Sequence, residues 1–351
     1  MIEPSGTMSN PAPPGMSAPR CWGILLAGGM GSRLGETRPK AFASLAGRPL
    51  LQWSLATFAG HPEITDLLVV IPRGWERTLR EEVLAPFMSA APDSAAKIRG
   101  AIPGGERRQD SARVALKTIW QMWQDQEQAQ RDRLLPLMPP YAAAAPERAA
   151  AAEGAAAAER VAAGQQAESG EPHSAMAGPG PLVLIHDAAR PLVPAELITG
   201  LIAAFRSVPE EPRDAAGDQE ESKPGESPPK PKKLRRKVTP ASPPKPMAVI
   251  PVVPVGDTLK SLDRLGRVAE TVQRDSLWQA QTPQAFGLTA VLDLHAKAME
   301  TGFAATDDAM LYEWSGYPVK TVLGSPLNMK VTFPQDLALL EAWLTRHGAA
   351  Q

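Results

Sequence analysis

An apolar run over residues 22–27 opens into a loop holding four glycines, Ala27-Gly28-Gly29-Met30-Gly31-Ser32-Arg33-Leu34-Gly35, with Pro39-Lys40 just beyond. A run of that length reads as a buried strand. Glycines placed directly after a strand let backbone N–H groups close on phosphate oxygens without interference from a Cβ. Arg33 and Lys40 add two fixed cations, which suit a triphosphate whose charge must be neutralised during reaction. Two other phosphate loops are excluded. No Gly-Lys-Ser/Thr follows, as a P-loop requires. In Gly29-Met30-Gly31-Ser32-Arg33-Leu34, Leu34 stands where a dinucleotide fingerprint has its third glycine, and Arg33 would lie against the pyrophosphate.

Strand and helix signals alternate after this loop. Strands are expected at 67–71, 98–102, 182–185, 248–253 and 319–322, and helices at 50–58, 75–87, 194–205, 288–299, 307–314 and 334–346. Asp110 can cap a further helix that carries Ala112, Ala115, Leu116, Ile119 and Trp120. Segments 258–262 and 267–272 flank Asp263-Arg264-Leu265-Gly266, a hairpin signal. Two stretches differ in character. Residues 124–133 are polar and able to prolong the preceding helix, and 142–178 hold 17 alanines with Val161 as the one branched aliphatic. Such sequence favours helix but has little to bury. Residues 208–246 hold ten prolines and the basic run 230–237, which reads as a solvated linker. The chain is therefore expected to form one α/β domain over 21–347, behind a disordered tail at 1–20. That domain has a mostly parallel twisted sheet, a protruding β-hairpin arm and insertions at about 124–180 and 208–246.

Composition removes several classes. The 37 prolines against 7 Phe and 3 Tyr fit substantial unstructured chain in those insertions. A net charge of −1 offers no field for nucleic acid or a membrane surface. The single cysteine, Cys21, excludes an intramolecular disulfide framework and a multi-cysteine metal site, and reads as a small core residue. No apolar run reaches the ~18 residues of a membrane span. Residues 1–20 lack the apolar segment of a signal peptide, so a cytoplasmic protein is expected.

Open α/β sheets gather functional groups at the carboxyl ends of their strands. The polar clusters fall there: Gly104-Gly105-Glu106-Arg107-Arg108-Gln109-Asp110-Ser111, then His186-Asp187-Ala188-Ala189-Arg190-Pro191, then Gly256-Asp257-Thr258-Leu259-Lys260. Arg274, Thr282-Pro283-Gln284, Thr306-Asp307-Asp308 and Asn328-Met329-Lys330 follow. One edge would collect Arg33, Lys40, Arg108, Arg190, Arg274 and Lys330, which suits a polyphosphate plus a second anionic substrate. Plainer roles stand beside these. Asp187 and Arg190 could form a strand-end ion pair, Thr306-Asp307-Asp308 a helix N-cap, and Glu106 or Asp110 a cap for the helix that follows. His186 reads as a packed strand-end residue.

With these motifs together, the chain resembles the 2-C-methyl-D-erythritol 4-phosphate cytidylyltransferases of the non-mevalonate isoprenoid pathway. The resemblance implies a Rossmann-like nucleotidyltransferase domain and a homodimer built through the hairpin arm. It implies transfer of CMP from CTP to a sugar-alcohol phosphate with release of pyrophosphate, assisted by Mg²⁺ or another divalent cation. By the same resemblance Arg33 and Lys40 are catalytic, and Arg274 and Lys330 hold the attacking phosphate. Ala27, Gly28, Gly29, Gly105, Glu106 and Ser111 surround the nucleotide. Asp187, Arg190, Thr258, Thr282 and Thr306 line the alcohol site, with Asp187 near the metal. Leu26-Ala27-Gly28-Gly29 departs from the family's usual Pro-Ala-Ala-Gly and also resembles ribitol-5-phosphate cytidylyltransferases, so another polyol phosphate is the alternative substrate. A non-catalytic scaffold of the same fold is a further alternative, against which the joint presence of Arg33, Lys40, Arg274 and Lys330 argues.

Overall fold

The computed structural model describes residues 20–29, 38–134, 180–207 and 248–348. Arg33, the N-terminal tail, the basic run and most of both insertions lie outside the described residues.

Six consecutive buried residues form β1 (Cys21–Leu26), and alternation along them feeds two separate cores. Cys21 and Leu25 face one layer, Trp22, Ile24 and Leu26 the other. A strand buried on both faces belongs in the middle of a sheet covered by helices on each side. β1 lies between β4 (Asp66–Ile71) and β6 (Leu182–Asp187), parallel to both, and β5 (Ile98–Pro103) pairs parallel beyond β4. On the other side of β6, β11 (Gln284–Gly287) runs antiparallel, followed by β7 (Ala248–Pro254) and then β12 (Val319–Leu323), which is parallel to β7. β10 (Trp278–Ala280) pairs with the second half of β7, on the edge where β11 pairs with the first half. These make one eight-stranded sheet, and two residue pairs, β2 (Ser44–Leu45) and β3 (Arg48–Pro49), form a separate small ladder.

One face is covered by α1 (Leu50–Gly60), by α2 (Glu76–Thr78) running through a π-helical turn at Leu79–Leu84 into α3 (Ala85–Ala90), and by α6 (Ala195–Arg206). Four-residue α4 (Pro92–Ala95) precedes β5. The other face is covered by α5 (Arg108–Leu134), α7 (Leu288–Thr301) and α8 (Ala309–Trp314). A third cluster joins α9 (Pro334–His347) to Trp53 and Leu192. Cys21 is buried, and burial pushes its thiol up to about 12, as a small core residue should behave.

Each expected strand and helix is present within a few residues. The polar 124–133 does prolong a helix, since α5 runs to Leu134. β10 and β11 had no sequence signal, because three and four residues are too few to show a period. The expected hairpin is β8 (Leu259–Leu262) with β9 (Val268–Val272), a two-stranded sheet with no ladder to the main one. It leaves the carboxyl end of β7 and exposes Leu262, Leu265 and Val268.

Candidate active site

β1, β4, β5, β6 and β7 all point their carboxyl ends to the same sheet edge. A cavity of about 280 Å³ opens there. Leu26, Ala27, Gly28, Gly29, Lys40 and Ala41 form one wall; Gly105, Glu106, Arg107, Arg108 and Ser111 form a second; Asp187, Ala189 and Lys330 close it.

The first wall starts where β1 ends. The Ala27 N–H donates to Val70 O at 2.7 Å, which carries the chain past the sheet edge. The Lys40 N–H donates to Gly29 O at 3.3 Å, so the two ends of the glycine loop meet. A short 3-10 turn, Lys40–Phe42, buries Phe42 against Trp75 and turns Lys40 toward the cavity. Lys40 Nζ donates to Val331 O at 2.7 Å, linking this wall to the segment that carries Lys330.

The second wall depends on two glycines. A Cβ on Gly104 would stand 2.7 Å from Ser111 Oγ, and one on Gly105 would stand 2.4 Å from Asp110 Cβ. Only a bare backbone can lie this close to the first turn of α5, and the Gly105 N–H thereby donates to Ser111 Oγ at 3.1 Å. Asp110 caps the helix from within its first turn rather than from the N-cap position, accepting from the Arg107 N–H at 3.3 Å and from the Arg107 guanidinium. Gln109 fastens the same turn to the loop before α8, donating to Phe303 O at 3.2 Å and accepting from the Ala305 N–H at 3.0 Å.

Asp187 is the pocket's buried charge. Its Oδ1 accepts from Arg108 Nε at 2.9 Å and its Oδ2 from Lys330 Nζ at 2.7 Å. Burial alone would raise its carboxyl, but Arg108 and Lys330 outweigh burial and hold it well below the usual carboxylate range. The same cation stands behind Asp308, whose carboxyl is also held low although burial opposes it. Asp187 therefore pairs with Arg108 and Lys330, not with Arg190 as a strand-end ion pair would have it.

The remaining expected residues divide. Thr282 and Arg190 are turned into the protein. Thr282 Oγ accepts from the Asp187 N–H at 3.0 Å, and Arg190 donates to Asn328 O at 2.8 Å and Ala280 O at 3.3 Å. They support the strand end and the segment leading to Lys330 rather than line the cavity. His186 is fully buried between Arg190 O and Thr282 Oγ, with Phe58 beside it, and burial lowers it to about 4. It is the packed residue that its position implied. Asp307 gives the N-cap reading its carboxylate, accepting from the Met310 N–H at 3.0 Å, while Thr306 is exposed. Thr258 and Arg274 do not line the cavity of their own chain. Both are exposed at the base of the arm, where Arg274 donates to Gly256 O. Sequence reasoning named Arg108 among the cations but gave it no role, read Asp308 only as part of the Thr306-Asp307-Asp308 cluster or cap, and missed His295. No local signal distinguishes a carboxylate that faces inward from a first-turn acid.

The family model for 2-C-methyl-D-erythritol 4-phosphate cytidylyltransferase (IspD) matches residues 22–126 and 230–346, more than half of the chain. A relative from Syntrophotalea carbinolica bearing that name is 30% identical over 328 residues, covering 93% of this chain and 97% of its own. The chain belongs to this family. A bifunctional enzyme IspD/IspF of Solidesulfovibrio magneticus is 33% identical over 323 residues, 91% of this chain and 56% of its own length. A crystal structure of 4-diphosphocytidyl-2C-methyl-D-erythritol synthase from Anaerococcus prevotii shares the fold, with a TM-score of 0.56 at 21% identity, over 93% of this chain and 97% of that one. Asp187 and Arg190 lie between the two segments that the family model matches, and the central position of β6 brings Asp187 to the site. Family membership makes the chain a nucleotidyltransferase and sets aside the scaffold reading. Among the described residues no helix is long and apolar enough to cross a membrane.

Proposed function

We propose that this chain transfers the cytidylyl group of CTP to the phosphate of 2-C-methyl-D-erythritol 4-phosphate, working as a cytoplasmic homodimer in isoprenoid precursor synthesis. The observation that carries the reading is the convergence of Lys40, Lys330, Arg108 and Asp187 with the glycine-rich first wall in one cavity, in a chain of this family.

The chemistry needs no base from the protein. A phosphate oxygen of the alcohol phosphate, already ionised at neutral pH, attacks the α-phosphorus of CTP. The bond from that phosphorus to the bridging oxygen breaks, and pyrophosphate leaves with the electron pair. The barrier is repulsion between two anions and charge growth at phosphorus, so positioning and cations do the catalytic part. Lys40, with Arg33, is assigned to the triphosphate, and Lys330 to the attacking phosphate. Lys40 Nζ on Val331 O and Lys330 Nζ on Asp187 keep both ammonium groups at the cavity before substrates enter. Gly105, Glu106 and Ser111 are assigned to the cytosine, whose exocyclic amine needs an acceptor. Ala27, Gly28 and Gly29 give backbone for the phosphates. Asp187 and Thr306 are assigned to the alcohol, with Thr282 and Arg190 acting through the segments they hold.

Asp187 keeps lone pairs beyond its two ion pairs, while among the described residues no cluster of three or more His, Cys, Asp or Glu is placed to hold a metal. The residues fit Mg²⁺ arriving on the triphosphate and taking this one carboxylate. When bound it would supply charge neutralisation at the phosphates.

An isolated two-stranded hairpin is marginal in water. The β8–β9 arm exposes four large apolar side chains, Leu259, Leu262, Leu265 and Val268, and leaves Thr258 and Arg274 outside their own cavity. A second copy seated on the arm would cover the first and bring in the others.

Pyrophosphate release, measured with CTP and separate samples of methylerythritol phosphate and ribitol phosphate, tests the assignment. Turnover with methylerythritol phosphate at least tenfold above ribitol phosphate is expected. The reverse order would assign the chain to polyol phosphates.

A further inference from the structure

Behind the pocket the ion pairs continue into the interior and end on a hydrogen bond to a histidine. Lys330 Nζ meets Asp187 Oδ2, Asp187 Oδ1 meets Arg108 Nε, Arg108 Nη1 meets Asp308 Oδ2 at 2.8 Å, and Asp308 Oδ1 meets His295 Nε2 at 3.1 Å. Lys330, Asp187 and Arg108 line the cavity, whereas Asp308 and His295 do not. The last two are only 1% exposed. Buried carboxylates and guanidinium groups are costly to desolvate, and apolar residues of the same size would fasten two elements as well or better. Fastening is also already provided, since Gln109 ties the first turn of α5 to the loop before α8 through two backbone bonds. The chain of charges needs another reason.

Arg108 lines the same cavity as Lys40 and Lys330, so under the proposed assignment an unrestrained guanidinium there would turn onto the first phosphate to enter. Two carboxylates, one on each side of the fork, prevent that. We infer that Asp308 and His295 are positioning residues that reserve Arg108 for Asp187, and so fix the carboxylate that sets the place of Lys330. The inference rests on cytidylyl transfer in this pocket.

The test uses the full chain and measures kcat, KM for both substrates and the melting temperature. If the unmodified chain transfers no cytidylyl group, the functional reading fails first. With activity present, Asp308→Asn and Arg108→Lys are each expected to lower kcat about 10- to 100-fold. In Asp308→Asn, KM for CTP should be unchanged or lower, because a released Arg108 can grip a phosphate. The double variant should be no slower than Arg108→Lys within about twofold, since residues acting as one unit do not add. Multiplied losses in the double variant would overturn the inference. So would a loss that disappears once each variant is assayed well below its melting temperature. Where Asp308→Asn does not fold, His295→Leu against His295→Gln decides. Leucine should lower kcat, and glutamine, whose amide can still donate to Asp308, should restore it at equal melting temperature. Equal rates for these two variants would also overturn it.

Discussion

The first turn of α5 and the β8–β9 arm both carry charged residues of the family's motifs, and they use them in opposite ways. At α5, Arg108 is held by two carboxylates of its own chain, one of them 1% exposed. On the arm, Lys260 bonds Thr271, Arg267 bonds Asp263 and Arg274 bonds a backbone carbonyl, all in solvent, while Leu262, Leu265 and Val268 are uncovered. Buried, mutually paired charge is already placed for its task. Exposed charge next to uncovered apolar surface is placed only when something else arrives. Under the proposed dimer the pocket is thus half built by its own chain and half dependent on a partner.

The sharpest test of the self-contained half is Lys40→Ala. Loss of a charge that acts mainly in the transition state costs about 100- to 1000-fold in turnover, with a smaller loss of CTP affinity by calorimetry. Near-normal turnover would remove Lys40 from catalysis.

For the dependent half, Arg274→Lys keeps the charge and loses the two-pronged grip on phosphate. About a tenfold rise in KM for the alcohol phosphate is expected, with CTP binding nearly unchanged. Mixing decides whose arm serves which site. Heterodimers of Lys40→Ala with Arg274→Ala should be more active than either parent, because one of their two sites then has both residues intact. Mixed samples no better than the parents would place each arm on its own pocket or nowhere.

A smaller effect concerns the strand end beneath Asp187. His186 falls from an ordinary 6.5 to about 4 on burial. Its folded state takes up a proton less readily than the unfolded chain, so stability is full above pH 6.5 and declines as pH falls toward 4. At pH 5 this amounts to about 2 kcal/mol. Thermal melts at pH 7 and pH 5 should show that loss, and His186→Gln should flatten it. A parallel decline in both proteins would assign the pH dependence to other groups.

The smallest change is expected from excision. Short linkers in place of 136–178 and 209–245 should leave turnover within about twofold, since those stretches lack the apolar periodicity that packing requires. Soluble but inactive protein would tie an insertion to the site.

The sequence by itself determined the βα order, the cavity's first two walls and the arm. These follow from local information: apolar runs of six residues, glycines next to a strand end, a turn of four residues between alternating segments. It also named Lys40, Lys330 and Asp187 as residues of one edge. Only the tertiary structure decided which charges meet. Asp187 and Arg108 are 79 positions apart, and Arg108 and Asp308 are 200 apart. Nothing near Asp308 in the chain marks it as facing inward while Asp307, its neighbour, caps a helix. The same holds for Arg190 and Thr282, which read as site residues and instead hold the segments that carry the site. Ion pairing depends on distance and burial. Both are set by how helices pack across the sheet, which the order of residues along any one segment does not record.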